Sequence, residues 1–250
     1  MKIHLVKTRL VNSYVVEYPD RLLVIDVAIK CHRYVLGFIE QELKRPINDV
    51  ELVICTHDDA DHMGGVSALA QLCDADVAIP FASGRARHKL INNPTGSITR
   101  LRTSFRESFR ARAWDMYFNK ERNRAASKQA KFKKTEEHSI SSAELKIDHR
   151  LKGRSAIPGF DDWQVVHTPG HSWDSCCYYH QPTSSLITGD TLLGSGKENR
   201  LVVASIYSSR RQTLRILDKL SKLEINRVYP GQGRVISGTR LTGRPNLSPK

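Results

Sequence analysis

Long apolar runs are missing from this 250-residue chain. None approaches the roughly 18 residues that a membrane-spanning helix requires, so no membrane partner is expected. The opening Met1-Lys2-Ile3-His4 has no apolar core of the kind a secretory signal carries. Cysteine is scarce and irregular: Cys31, Cys55, Cys73, Cys176 and Cys177 form no zinc-ribbon spacing. A chain of this length can hold a core without disulfide staples, so a reducing, cytoplasmic setting is expected. Cys176 and Cys177 read as packing residues on a strand. Acidic residues are also short, 26 against 39 Lys and Arg, for a net charge of +13. The deficit is local. Residues 85–134 hold fifteen Lys or Arg against Glu107, Asp115 and Glu121, about +12 of that excess.

Within this stretch, residues 97–135 read as a basic, helix-compatible insert. Residues 100–134 contain Arg100, Arg102, Arg106, Arg110, Arg112, Lys120, Arg122, Arg124, Lys128, Lys131, Lys133 and Lys134. Apolar positions accompany them at Leu101, Phe105, Phe109, Trp114 and Phe118. Arg106 and Arg110 share a helix face, with Phe105 and Phe109 one residue off it. The expectation is a solvated helical arm or lid packed on the body by its aromatics. A surface for nucleic acid or another polyanion is the alternative, because Lys and Arg neutralise phosphates. A homodimerisation arm is the third reading.

The rest of the chain alternates short strands with helices. Residues 3–6, 12–18 and 21–27 read as strands, the third ending on the carboxylate of Asp26. Residues 33–44 carry Tyr34, Phe38, Ile39 and Leu43 at helical spacing. A buried strand, residues 50–55, then runs into Thr56-His57-Asp58-Asp59-Ala60-Asp61-His62 and Gly64-Gly65, with a helix from Val66 to Leu72. Strands are expected at 76–81, 163–167, 178–179 and 186–188, a helix at 210–223 and a last strand at 226–229. The polar tail from Gly238 reads as loose. Polar loops at strand ends are where layered α/β folds place their sites.

Two histidines and three aspartates in six residues, directly after a buried strand, are chemically loaded. Alternate residues of an extended segment point the same way, so 57, 59 and 61 can converge, with His62 turning toward a second metal. Imidazole nitrogen and carboxylate oxygen suit zinc, manganese and iron. The bland alternative is an acidic loop opening a helix. Asp26 reads equally as an orienting carboxylate behind a ligand histidine or as a turn residue. His167 reads as a strand residue facing away from the metals, and Ser172 and Trp173 as candidates for the pocket mouth. His4, His32, His88, His138, His149 and His180 read as surface residues.

Four ordered motifs now stand together: His57-Asp58-Asp59-Ala60-Asp61-His62-Met63-Gly64-Gly65, Thr168-Pro169-Gly170-His171, Thr188-Gly189-Asp190-Thr191 and Pro230-Gly231-Gln232-Gly233. With the opening Asn12-Ser13-Tyr14 through Leu23-Val24-Ile25-Asp26, the chain resembles the metallo-β-lactamase superfamily throughout, apart from the basic insert. The resemblance implies an α/β fold, an αββα four-layer sandwich, as a single domain over 1–250 with the insert at about 97–135 and a loose tail at about 238–250. It implies that His57, Asp59 and His171 hold one metal. Asp61, His62 and position 232 would hold a second, with Asp190 bridging. Asp59 stands where the family usually has His, and Gln232 where it usually has the last His. One or two divalent ions are therefore expected, zinc first, with manganese or iron favoured by the oxygen-rich set. Gln232, a neutral amide, makes the second site the looser one.

The chemistry implied is hydrolysis by a metal-activated water, with Asp61 positioning that water or acting as base. An ester, thioester, lactone or phosphoester of small size is the first substrate class. A nuclease using the basic arm is the second reading, and an iron-dependent redox enzyme the third. An exported β-lactamase is disfavoured.

Overall fold

The computed structural model describes residues 1–110, 123–128, 146–195 and 198–242, apart from the side chains of residues 86, 88 and 89. Much of the expected insert, including Trp114 and Phe118, and residues 243–250 of the tail lie outside the described residues. The chain falls into two compact units, Met1–Ile79 with Tyr117–Arg150, and Pro80–Met116 with Leu151–Lys250.

The first unit is built on a six-stranded sheet in the order β1-β2-β3-β4-β5-β6. Its strands are β1 (Lys2–Lys7), β2 (Asn12–Glu17), β3 (Leu22–Ile25), β4 (Val50–Ile54), β5 (Asp76–Pro80) and β6 (His149–Leu151). The first two pairings are antiparallel; β3–β4 and β4–β5 are parallel, with Leu23 beside Leu52 and Ile25 beside Ile54. Parallel strands need both faces covered, which is why Leu22 to Ile25 are buried without alternation. Helix α1 (His32–Gly37) continues as a wider π-type turn, Phe38–Glu42, so the expected helix over 33–44 changes winding midway. A one-turn helix α2 (Ala60–Met63) and α3 (Val66–Cys73) follow β4. Helix α3 buries Val66, Leu69, Ala70 and Cys73 against a core that includes Val24, Val35, Ile39 and Val53.

The second unit carries a six-stranded sheet in the order β14-β13-β10-β9-β8-β7. Its strands are β7 (Ala156–Ile157), β8 (Phe160–His167), β9 (Cys176–His180), β10 (Ser185–Gly189), β13 (Arg227–Pro230) and β14 (Ile236–Ser237). Strands β9 and β10 form an antiparallel hairpin around Gln181–Thr183, and β10–β13 is parallel. A separate antiparallel pair is formed by β11 (Leu192–Gly194) and β12 (Leu201–Val203). Helices α4 (Ala86–Asn92) and α5 (Gly96–Ser108) belong to this unit, as does α6 (Arg210–Leu220). The Ser209 side chain caps α6 by accepting from Gln212 N, and Thr213, Ile216 and Leu220 bury one stripe at helical spacing. Leu241 and Thr242 also dock here: Leu241 N donates to Ile225 O (3.0 Å) and Thr242 Oγ1 to Leu220 O (3.0 Å). All five cysteines are buried and free, with Cys176 and Cys177 on β9 as expected. No helix among the described residues is long and apolar enough to cross a membrane.

Candidate metal centre

In the first unit, the segment after β3 runs alongside the His57–Gly65 loop. Val27 N donates to His62 O (2.8 Å), Ile29 N to Ala60 O (2.9 Å) and Gly65 N to Val27 O (2.8 Å). A Cβ on Gly65 would stand 2.5 Å from Ala28 O and 2.7 Å from Val27 Cγ1, so glycine is what permits this approach. Asp26, at the end of β3, takes a left-handed backbone (φ 61°), which Asp tolerates better than most residues. Its carboxylate is fully buried and accepts from Thr56 N (2.7 Å), Thr56 Oγ1 (2.9 Å) and His62 Nδ1 (2.8 Å). With the Thr56 proton committed to Asp26, Thr56 Oγ1 accepts from His57 Nδ1 (3.1 Å). One carboxylate thus orients both imidazoles, directly and through Thr56, with ring centroids 4.1 Å apart. Asp26 is an orienting carboxylate.

Asp59 sits where a helix cap would sit, yet its side chain makes no capping hydrogen bond. Its Oδ2 lies 3.1 Å from His57 Nε2 instead, which removes the acidic-cap reading. Convergence by alternation holds for 57 and 59 but stops there. Residues 60–63 are helical, so Asp61 reaches the group from the first turn of α2, its Oδ2 3.9 Å from His62 Nε2 and its side chain 32% exposed.

The second unit brings together His171, Asp190 and Gln232. His171 follows β8, and its Nδ1 donates to Ile206 O (2.8 Å). Asp190 follows β10, its Oδ2 3.9 Å from His171 Nε2 and accepting from Gln232 Nε2 (3.3 Å). Gln232 is buried, and its Oε1 has no hydrogen-bond partner among the described residues. The chain passes Gln232 through Gly233 at φ 86°, where a Cβ would collide with the Gly194 carbonyl; Gly194 N donates to Gln232 O (3.0 Å). This tight crossing fixes the amide.

Helix α5 is stitched to the loop that holds His171. Tyr207 N donates to Thr103 Oγ1 (3.2 Å), Arg106 to Ser205 O (3.2 Å), and Asn93 from the α4–α5 connection to Ser208 Oγ (3.0 Å). One turn before Thr103, Arg100 donates to His171 Nε2 at 3.0 Å. Within the described part of the arm, the expectation of packing by aromatics is corrected for Phe105 and Phe109, which are 68% and 74% exposed, while Gly96, Thr103 and Glu107 are buried. Polar anchoring to loop backbone wins over aromatic burial. Ser172 is buried and tied to Asp174 (2.8 Å) beside Ser83, and His167 donates to Trp173 O (2.8 Å). His180 is buried against Trp163 and Asp162, not on the surface.

In each unit the donors are of kinds that suit a divalent cation. Ile206 O and the Asp26 carboxylate can only accept, so His171 and His62 carry their protons on Nδ1 and present lone pairs at Nε2. In His57 the same tautomer turns a lone pair toward the Asp59 carboxylate at 3.1 Å, a juxtaposition that needs a positive charge. The orphaned Gln232 Oε1 is a further oxygen donor.

A sequence model described as the metallo-beta-lactamase superfamily matches residues 6–232. The chain belongs to this superfamily. A solved metallo-β-lactamase family protein of Thermus thermophilus, TTHA1429, superposes with a TM-score of 0.62 at 18% identity, over 98% of this chain and 78% of that one. TTHA1623 in a di-iron-bound form superposes with a TM-score of 0.58 at 20% identity, over 99% and 98% of the two chains. These share the metallo-β-lactamase fold of two large sheets. Among curated relatives, the probable metallo-hydrolase YqjP of Bacillus subtilis (strain 168) is 28% identical over 89 residues, 34% of this chain and 28% of that protein. An atrochrysone carboxyl ACP thioesterase of Aspergillus fumigatus is 34% identical over 73 residues, 29% of this chain and 21% of that protein. The match therefore spans about a quarter of each of these relatives. Sequence reasoning weighed Asp26 without deciding it. Thr56, Ile206 and Arg100 were missed as site residues, since no local pattern marks a hydroxyl, a carbonyl or one arginine among many.

Proposed function

We propose that this member of the metallo-β-lactamase superfamily is a metal-dependent hydrolase. The single observation carrying this reading is that all three histidines, His57, His62 and His171, have Nδ1 committed to a protein acceptor, which reserves each Nε2 for a cation. In the order the superfamily implies, His57, Asp59 and His171 would hold one ion, Asp61, His62 and Gln232 a second, and Asp190 would bridge. Bound divalent metal would supply a nucleophilic water at neutral pH and positive charge for a developing oxyanion. The chain's own parts are then distinct. Asp26 and Thr56 fix two ligand tautomers. Asp61, the most exposed carboxylate of the group, would position the attacking water, or take up its proton at Oδ2 when only one ion is bound. Gln232 holds Asp190 through Nε2.

The acyl carrier protein thioesterase among the relatives lends support to thioesters within the ester, thioester, lactone or phosphoester class. Three carboxylates in the set make the site harder than one rich in imidazole, which favours manganese or iron beside zinc. The test is elemental analysis of purified protein, with reconstitution by Zn, Mn or Fe and a panel of esters, thioesters, lactones and phosphodiesters. Metal uptake with turnover of an acyl substrate is the expected result. Asp61→Ala and His171→Ala should lower metal content and abolish turnover while the fold persists. Full activity in metal-stripped Asp61→Ala protein overturns the reading.

A further inference from the structure

We propose that α4 and α5 form a docking face for an anionic lipid surface, with apolar side chains entering below the headgroups and arginines meeting the lipid phosphates. This inference stands apart from the hydrolase reading and needs no bound metal.

Two observations in the second unit carry it. Ile98, Leu101, Phe105 and Phe109 on α5 and at its C-terminal end, with Leu90 and Ile91 on α4, are each between 63% and 74% exposed. At 3.6 residues per turn, the four along α5 fall within about 80° of arc. The buried Gly96, Thr103 and Glu107 lie on the opposite side of the helix, which Thr103 and Arg106 fasten to the backbone of Tyr207 and Ser205. The apolar stripe points outward because polar bonds hold the other side. Apolar faces of this kind mark contact with a partner or a membrane. The second observation is charge. Residues 77–106 contain no Asp or Glu, and residues 85–110 hold seven Lys or Arg against Glu107 alone. Glu107 is buried and already met by Arg106 (3.5 Å) and Arg110 (3.2 Å). Arg102 borders the stripe and is exposed.

Charge and shape together decide between occupants. A second copy applied to this face would bring arginine against arginine, with no acid on the outward side to separate them. A nucleic acid would answer the charge, but Leu90, Ile91, Ile98 and Leu101 offer no flat ring to a base and would stay exposed. An anionic bilayer satisfies both features at once. Acyl chains take up the apolar tips, and phosphates accept from the guanidinium groups. A fluid surface also needs no groove shaped to a convex helix. The lack of a run long enough to span a bilayer does not bear on this. A helix lying in the interface needs one apolar face, not a continuous apolar length.

The test sediments full-length protein with vesicles of phosphatidylcholine alone, and with vesicles of three parts phosphatidylcholine to one of phosphatidylserine. Wild type should bind the anionic vesicles, release from them as salt rises, and bind the neutral ones about tenfold less or weaker still. Phe105→Gln combined with Phe109→Gln should weaken binding about tenfold or more through lost apolar insertion. Arg102→Ala should weaken it about fivefold, the share of one arginine at such a surface. All three positions are exposed, so circular dichroism and the denaturant midpoint should hold steady. Lys2→Ala, an equal change of charge on β1, should leave binding nearly unchanged. Native vesicle binding by the double phenylalanine variant overturns the proposal, as does equal binding to neutral and anionic vesicles. Absence of vesicle binding overturns it too. Capture of a single-stranded oligonucleotide would then assign the face to nucleic acid, and a dimer dissolved by the double variant would assign it to a second copy. None of these readouts uses metal or turnover, so their failure leaves the hydrolase reading intact.

Discussion

Replacing Asp26 by Asn changes one atom type at a fully buried position and should disable the proposed metal ligand His62 through their shared hydrogen bond. Asp26 Oδ1 accepts from Thr56 N at 2.7 Å, and an amide group cannot sit there, because two N–H donors would face each other. The new side-chain carbonyl must therefore keep that place, which puts its NH2 where Oδ2 was, 2.8 Å from His62 Nδ1. The amide now donates, so Nδ1 must accept, and the ring proton moves to Nε2, the nitrogen reserved for metal. Loss of an orienting partner of this kind lowers metal affinity about 10- to 100-fold. That is about 1.4–2.7 kcal/mol. The folded state itself should lose about 1.5–3 kcal/mol from weakened hydrogen bonds to a charged acceptor. Asp26→Ala should cost more, about 3–5 kcal/mol, because His62 Nδ1 and the Thr56 amide are left buried with nothing in their place. Chelator competition measures the affinity, and imidazole nitrogen NMR reads the His62 tautomer directly. Native metal affinity in the Asp26→Asn protein, with the His62 proton still on Nδ1, would refute this chain of reasoning.

Gln232→His should raise occupancy of the weaker ion, by about tenfold in affinity, because imidazole is a better ligand than a neutral amide; metal stoichiometry after dialysis measures it, and unchanged stoichiometry argues against Gln232 Oε1 as a donor. Trp163, 1% exposed and stacked near His180 with centroids 5.0 Å apart, should cost about 3–5 kcal/mol on truncation to Ala, read as a shift in the urea midpoint. Burial pushes the Cys73 thiol up to about 12 and the Cys177 thiol up to about 11, so a thiol reagent at pH 8 should label neither until the protein is unfolded. The native state keeps a proton that the unfolded chain sheds near 9, so this contribution to stability is present below pH 9 and declines as pH rises toward 11–12. Cys73→Ala should flatten the alkaline decline in denaturant midpoint.

The legible parts of this protein are those where local chemistry and fold agree. Leu22 to Ile25 announces itself as a buried parallel strand by an unbroken apolar run, Val50 to Ile54 by a run broken only at the exposed Glu51, and α6 by Thr213, Ile216 and Leu220 behind a Ser cap. Strands of two or three residues such as β7, β11, β12 and β14 carry no period to detect. The His57–His62 loop was recognisable by composition, but its shape was not, since the turn into α2 is enforced by backbone bonds from Val27 and Ile29, more than thirty residues away. The same holds for α5. Its spacing of Leu101, Phe105 and Phe109 reads as an inward apolar stripe, and the loop 205–208 overrides it by offering carbonyls and an amide to Thr103 and Arg106.

The two departures from the superfamily's usual ligands can be weighed against that background. Asp59 replaces an imidazole that would have been orientable through its second nitrogen. A carboxylate needs no such orientation, and Asp59 is placed by the extended backbone just before α2, with no capping bond to compete for it. Gln232 keeps its place through the Gly194–Gly233 crossing and uses its amide nitrogen on Asp190, so only the weakly donating oxygen remains available. The first substitution would strengthen charge attraction at one position, while the second would weaken lone-pair donation at another. Under the proposed ligand assignment, an unequal pair of sites would follow from that asymmetry. A protein whose two ions left together in a single step under chelator, with one common dissociation constant, would show that Gln232 and Asp59 do not divide the centre in this way.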